Sequence, residues 1–211
     1  MDKLIFTAVS GAERLMRSQQ VHANNLANLD TAGFRASMEV ATQQQLGGYG
    51  FDDRHLSVMQ SDMISTRAGA IRETGRPLDV ALGGQGFLSV QYGDGEAYTR
   101  SGEIEIGTDG TISVLTEGAT QMQVVDKLRL VNATGAELTK NEAGLIVSRD
   151  GAQLPTDPDV KVRPGALEGS NVSAVEEMVA TMSLNRSFEV QMRLFKASDS
   201  MNEAGNKLIS G

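Results

Sequence analysis

Asn24-Asn25-Leu26-Ala27-Asn28-Leu29-Asp30-Thr31-Ala32-Gly33-Phe34-Arg35 is the stretch on which the organisation of this chain turns. Its residue types mark the end of a helix. Asn and Asp side chains compete for the backbone groups that a helix would use, so they favour caps and turns. Gly33 permits a left-handed backbone and supplies the stop. Phe34 follows at once, placed to anchor the emerging chain on a neighbour.

Upstream, residues 3 to 28 read as one amphipathic helix. At 100° per residue, Ile5, Ala8, Val9, Ala12, Leu15, Met16, Ala23 and Leu26 fall in a single stripe, with Lys3, Glu13, Arg14, Arg17 and Ser18 outside it. One stripe with partly coiled-coil spacing predicts one main inward contact.

Downstream, residues 36 to 75 are polar and rich in Gln, Ser and Gly, including Gln43-Gln44-Gln45 and Gly47-Gly48. Few apolar residues recur at a fixed period, which predicts an extended connector. From residue 76 the pattern becomes that of strands. Leu78, Val80 and Leu82 alternate with Asp79 and Ala81, and Phe87-Leu88-Ser89-Val90-Gln91-Tyr92 follows a glycine cluster. Gly93-Asp94-Gly95 and Asp109-Gly110 are hairpin signals. Leu128 to Val131, Leu145 to Val147 and Val160 to Val162 complete a set of short strands, so an all-β sandwich or open barrel is expected. The Gly83-Gly84-Gln85-Gly86 run leads into a strand rather than a helix N-terminus. It therefore predicts a tight turn or bulge and not a phosphate loop.

After Pro164-Gly165 the period changes again. Ser173-x-x-Glu176 is a capping box opening a helix that runs to about Leu208. Val175, Met178, Val179 and Met182 share one face of it. Leu184, Phe188, Met192 and Phe195 sit about half a turn round. A helix apolar on two sides needs more neighbours than a chain of this size supplies, which points to a subunit packed among others. The whole chain reads as α+β: N- and C-terminal helices paired as a coiled-coil-like assembly domain, an extended connector and a small all-β middle domain. The expected boundaries are 1–35, 36–75, 76–166 and 167–211.

Bulk properties narrow the function. The 211 residues carry a net charge of −8 without a basic stripe, which argues against a nucleic-acid partner. Cysteine is absent, so disulfides, thiolate nucleophiles and thiolate metal sites are excluded. His22 and His55 stand far apart without ligand spacing, and no metal or cofactor is expected. No apolar run approaches the roughly 20 residues of a membrane span. The start, Met1 to Phe6, lacks the pattern of a Sec signal, so the chain is expected to stay in the cytoplasm or to leave by another export route.

The stretch from Asn24 to Arg35 resembles the signature of the flagellar rod and hook proteins. Arg76-Pro77-Leu78-Asp79-Val80-Ala81-Leu82-Gly83-Gly84-Gln85-Gly86-Phe87-Leu88-Ser89-Val90 is similar to the start of that family's β domain. Tyr98-Thr99-Arg100-Ser101-Gly102 resembles its next strand. Leu167-Glu168-Gly169-Ser170-Asn171-Val172 is similar to the turn before its last helix, and Glu177-Met178-Val179 and Phe188-Glu189 fit that helix. The run from Pro158 to Val172 looks closest to a proximal-rod member. One departure is plain: extra β segments that the family carries between the positions of Ile106 and Gly107 are missing.

This resemblance implies a structural subunit of the basal-body rod that self-assembles into the helical shaft carrying torque from motor to hook across the periplasm. A distal-rod or hook-type sibling is the alternative. It implies no catalytic residue, cofactor, metal or small-molecule substrate. The implied partners are copies of the chain, other rod proteins and the flagellar type III export apparatus. The assembly interface would comprise Ile5, Val9, Ala12, Leu15, Met16, Leu26, Asn28, Thr31, Gly33, Phe34, Asn171, Val175, Met178, Val179, Met182, Phe188, Met192 and Phe195. A peptidoglycan-acting hydrolase, the rival of another class, would need a paired carboxylate, a metal or an activated nucleophile, and no such motif surrounds Asp79 or Glu103.

Overall fold

The computed structural model describes residues 2–45, 55–92, 95–107, 111–114, 116, 123–125, 129–141 and 143–210. Two helices bracket the chain, α1 (Asp2–Ala27) and α2 (Ala174–Ser210), as the two apolar periodicities predict. Ser173 stands at the N-cap position of α2. Glu176 and Glu177 lie in its first turn, where negative charge complements the helix dipole.

Among the described residues between the helices lie paired strands, and the fold is α+β with several small sheets. The largest is antiparallel and five-stranded. Its strands are β5 (Phe87–Tyr92), β6 (Gly95–Thr99), β10 (Arg129–Val131), β11 (Leu138–Lys140) and β12 (Ile146–Ser148), in the order β10-β5-β6-β12-β11. β7 (Ile104–Ile106), β8 (Ile112–Val114) and β9 (Gln123–Val125) form a second sheet, in which Gly107 N–H donates to Thr111 O at 2.8 Å. Two further pairs are β4 (Val80–Gly83) with β13 (Lys161–Pro164), and β3 (Ile71–Glu73) with β14 (Ala166–Glu168).

β5 explains why its sequence shows no apolar–polar alternation. Phe87, Leu88, Ser89 and Val90 are all buried, because the strand is covered on both faces. Phe87 packs with Ile64, Tyr98, Val131, Leu138 and Ile146, Leu88 with Leu82 and Val160, and Val90 with Ala97, Ile104, Val114 and Leu145. One strand thus feeds three small apolar cores. The Tyr98 hydroxyl accepts from Leu154 N–H at 3.1 Å, and burial pushes that phenol above its ordinary value of 10.0. The glycine run before β5 is a tight turn, with Gly84 and Gly86 at φ of 100° and 135°.

The expected connector is partly a sheet. Ser37–Gln45 (β1) and His55–Ile64 (β2) pair with each other, and Ile71–Glu73 pairs with β14. Backbone pairing supplies strand order where polar side chains such as Gln43 to Gln45 show no apolar period. Residues 46–54, with Gly47-Gly48, lie outside the described residues, as do Gly93, Asp94 and the Asp109-Gly110 turn.

The chain divides into two compact units. One comprises residues 1–24, 39–61 and 175–211, and the other residues 25–38 and 62–174. In the helical unit α1 and α2 touch through polar groups. Gln19 Nε2 donates to Asn185 Oδ1 at 3.1 Å, and the His22 ring nitrogen Nδ1 meets the Glu177 carboxylate. Gly11 lies against Gln191. As numbering rises along α1 the partner number falls along α2, so these contacts run antiparallel.

Candidate assembly interface

Within the helical unit, the faces of α2 divide cleanly. Leu184, Phe188 and Phe195 are half-buried and recur at steps of three, four and seven with Thr181 and Gln191. Val175, Met178, Val179 and Met182 point the opposite way and stay in solvent, with Val175 69% and Val179 61% exposed. Met192 is exposed as well. Apolar residues gathered on an open helix face form the kind of patch that marks a protein-binding surface.

α1 meets α2 along one side. Its apolar stripe is split lengthwise. Ala12 and Leu15, on one edge, are half-buried, as is Leu26 farther along the helix, while Val9, Met16 and Ala23, on the other edge, are exposed. The polar residues Gln19 and His22 contact α2 on the same side as Ala12 and Leu15. Val9 and Met16 leave apolar surface of α1 uncovered. Ile5 belongs to α1, and its side chain lies outside the described residues.

Five expected interface residues make their contacts within the chain's own β unit. Phe34 is only 3% exposed, with Lys140 Nζ 3.8 Å from its ring centroid, so it anchors the chain on its own β unit. Gly33 is buried at φ 73° and donates its N–H to Glu168 O at 2.7 Å. Asn171 is also buried. Its Oδ1 accepts from Ala36 N–H at 2.8 Å, and its Nδ2 donates to Ser65 O at 3.1 Å and Arg67 O at 2.9 Å. Thr31 Oγ1 donates to Asn28 Oδ1 at 3.2 Å and closes the turn after α1. These groups are spent inside the β unit, and a buried amide satisfied three ways cannot also serve a partner without loss.

Sequence reasoning missed Asn25 as a structural residue of the same kind. Its side chain mimics a strand partner: Oδ1 accepts from Ser37 N–H and Nδ2 donates to Ser37 O, both at 3.0 Å. Its place in the Asn-rich motif is the signal that was available. It also missed the pairing of three fully buried charges, Arg35, Arg100 and Glu168. Among the described residues no group of three or more His, Asp or Glu could hold a metal ion, and no helix is long and apolar enough to cross a membrane.

The family description "Flagella basal body rod protein" matches residues 5–35, and "Flagellar basal body rod FlgEFG protein C-terminal" matches residues 163–208. The chain is 34% identical to the flagellar basal-body rod protein FlgF of Salmonella typhimurium strain LT2, over 100% of this chain and 99% of the relative. FlgF of Escherichia coli K12 gives the same identity and coverage. FlgG of Buchnera aphidicola from Acyrthosiphon pisum is 26% identical over 93% of this chain and 96% of the relative. The alignment with the Salmonella protein spans 249 positions against 211 residues here, so it includes positions that this chain lacks.

Proposed function

The chain belongs to the flagellar basal-body rod protein family, and from that premise we propose how it does its work. It is a structural subunit of the basal-body rod and not an enzyme, and it assembles with other rod components. Our reading is that the chain assembles through the outer faces of α1 and α2, forming part of the shaft that carries torque across the periplasm. Copies of the chain and sibling rod proteins are the occupants of those faces. The observation that carries this reading is the open apolar face of Val175, Met178, Val179 and Met182. Burying such residues contributes about 25 cal/mol per Å² of apolar surface, and repetition along a shaft shares the load among many contacts.

The antiparallel order of the α1–α2 contacts supports a paired, coiled-coil-like assembly domain. The exposed interface then comprises Val9, Met16, Val175, Met178, Val179, Met182 and Met192. Ala12, Leu15, Phe188 and Phe195 act inside the helical pair. The absence of cysteine suits passage of an unfolded chain through the flagellar export apparatus.

Isolated amphipathic helices are marginal in water and take most of their stability from packing. Neighbour binding therefore supplies the ordering of α1 and α2, and free subunits do not polymerise early. Amide exchange on the soluble subunit tests this. Fast exchange is expected over residues 3–28 and 175–205 with slow exchange at Phe87 to Val90. Strong protection across both helices in the free subunit would overturn the ordering step.

A further inference from the structure

The β unit buries three charges together. Glu168 Oε1 lies 2.6 Å from Arg35 Nη2, and Glu168 Oε2 accepts from Arg100 Nη1 at 2.8 Å. Gly69 N–H donates to Glu168 Oε1 at 2.8 Å, and Arg100 Nη2 donates to Gly84 O at 2.5 Å. Arg100 also lies over the Phe87 ring, 5.5 Å from its centroid. Two guanidinium groups thus meet one carboxylate, all fully buried.

Such a cluster is a poor source of stability. Desolvating the ions offsets their attraction, and apolar residues of similar volume often do as well or better. What it supplies is geometry, because guanidinium–carboxylate contacts are directional and the planar fork is rigid. The place it occupies gives that geometry a use. Arg35 lies on the segment that follows α1, Glu168 on the segment that precedes α2, and Gly69 on the return from β2. Around it, Asn171 N–H donates to Phe34 O at 3.2 Å and Gly169 N–H donates to Ala70 O at 2.8 Å. Gly69 passes so close to the Gly169 carbonyl that any side chain would overlap it.

We propose that Glu168 is a positioning residue for rod assembly: gripped by Arg35 and Arg100, it holds the segment leaving α1 beside the segment entering α2. The resulting seam, rather than added stability, is what an incorporated subunit requires. This rests on the reading of the chain as a rod subunit.

Two variants test it in a flagellated strain lacking its own copy of the protein. The first combines Arg35→Met, Arg100→Met and Glu168→Leu, which removes every charge of the cluster. It is expected to melt at or near the unsubstituted temperature yet to fail in incorporation and swimming. Exchange at residues 33–36, 65–70 and 169–172 should speed up at least about tenfold, while Phe87 to Val90 keep their protection. The second, Glu168→Asp, keeps the charge and shortens its reach. It should fold, exchange faster at the same three segments and incorporate several-fold less, so it decides the matter if the triple variant fails to fold. Normal swimming by a stable triple variant, or normal incorporation by Glu168→Asp, would overturn the proposal. Failure of the unsubstituted chain to restore swimming would overturn the rod reading, and this proposal with it.

Discussion

Gly33→Ala is expected to destabilise the β unit by about 2–5 kcal/mol, enough to remove a large part of a typical domain's stability. Two effects add. Gly33 has φ 73°, a left-handed conformation that costs a residue with a side chain about 1–2 kcal/mol. Its missing Cβ would also overlap the Ser101 backbone nitrogen, which is rigid and cannot rotate aside. Moving the chain to relieve that overlap would stretch the Gly33 N–H to Glu168 O hydrogen bond. Chemical denaturation of the purified subunit reads the effect directly. As a contrast, Gly75→Ala has the same sign of φ at 72° with open space around its Cβ position, so only the conformational cost should appear.

Val179→Asp combined with Met182→Asp is expected to leave the soluble subunit intact and to abolish its incorporation. Both residues are exposed, so each substitution should change subunit stability by less than about 0.5 kcal/mol. In a packed shaft the same positions are covered. Each loses roughly 1.5–3 kcal/mol of apolar burial there, and each introduces a carboxylate that must be desolvated. The two losses recur at every copy. Swimming and rod formation should be absent in a strain carrying only this variant, with an unchanged melting curve for the purified protein.

The elements with strong periods were legible in the sequence. The apolar steps of 175, 178, 179 and 182, and of 184, 188, 192 and 195, predicted α2 with two faces, and of the second face Met192 alone is exposed. The run from Phe87 to Tyr92 pointed to β5 because the strand-favouring Phe87, Val90 and Tyr92 follow a glycine turn. β1 was hidden because Gln43 to Gln45 carry no apolar signal, and its order comes from backbone pairing with β2. The motif from Asn24 to Arg35 was legible as a chain exit, but its destination was not. A large aromatic after a glycine anchors something, and only the fold shows that Phe34 anchors its own β unit beside Lys140. The same holds for Asn171.

The buried charges were illegible for a related reason. Arg35, Arg100 and Glu168 are far apart in sequence, and each would pass as an ordinary surface residue. Each does lie within a stretch that carries the family resemblance, which was the available hint. α1 shows the limit of periodicity itself. The stripe was real, yet Val9 and Met16 within it stay exposed. Periodicity identifies an apolar face without saying which molecule will cover it.

Chemical labelling of a Val179→Cys subunit tests most directly whether the outer face of α2 is the assembly face. The chain has no cysteine of its own, so a thiol-reactive label reports on that position alone. In the soluble subunit the thiol should react freely. In isolated basal bodies its labelling should fall by more than about tenfold as neighbours cover the face. Equal labelling rates in the soluble subunit and the assembled rod would contradict the account.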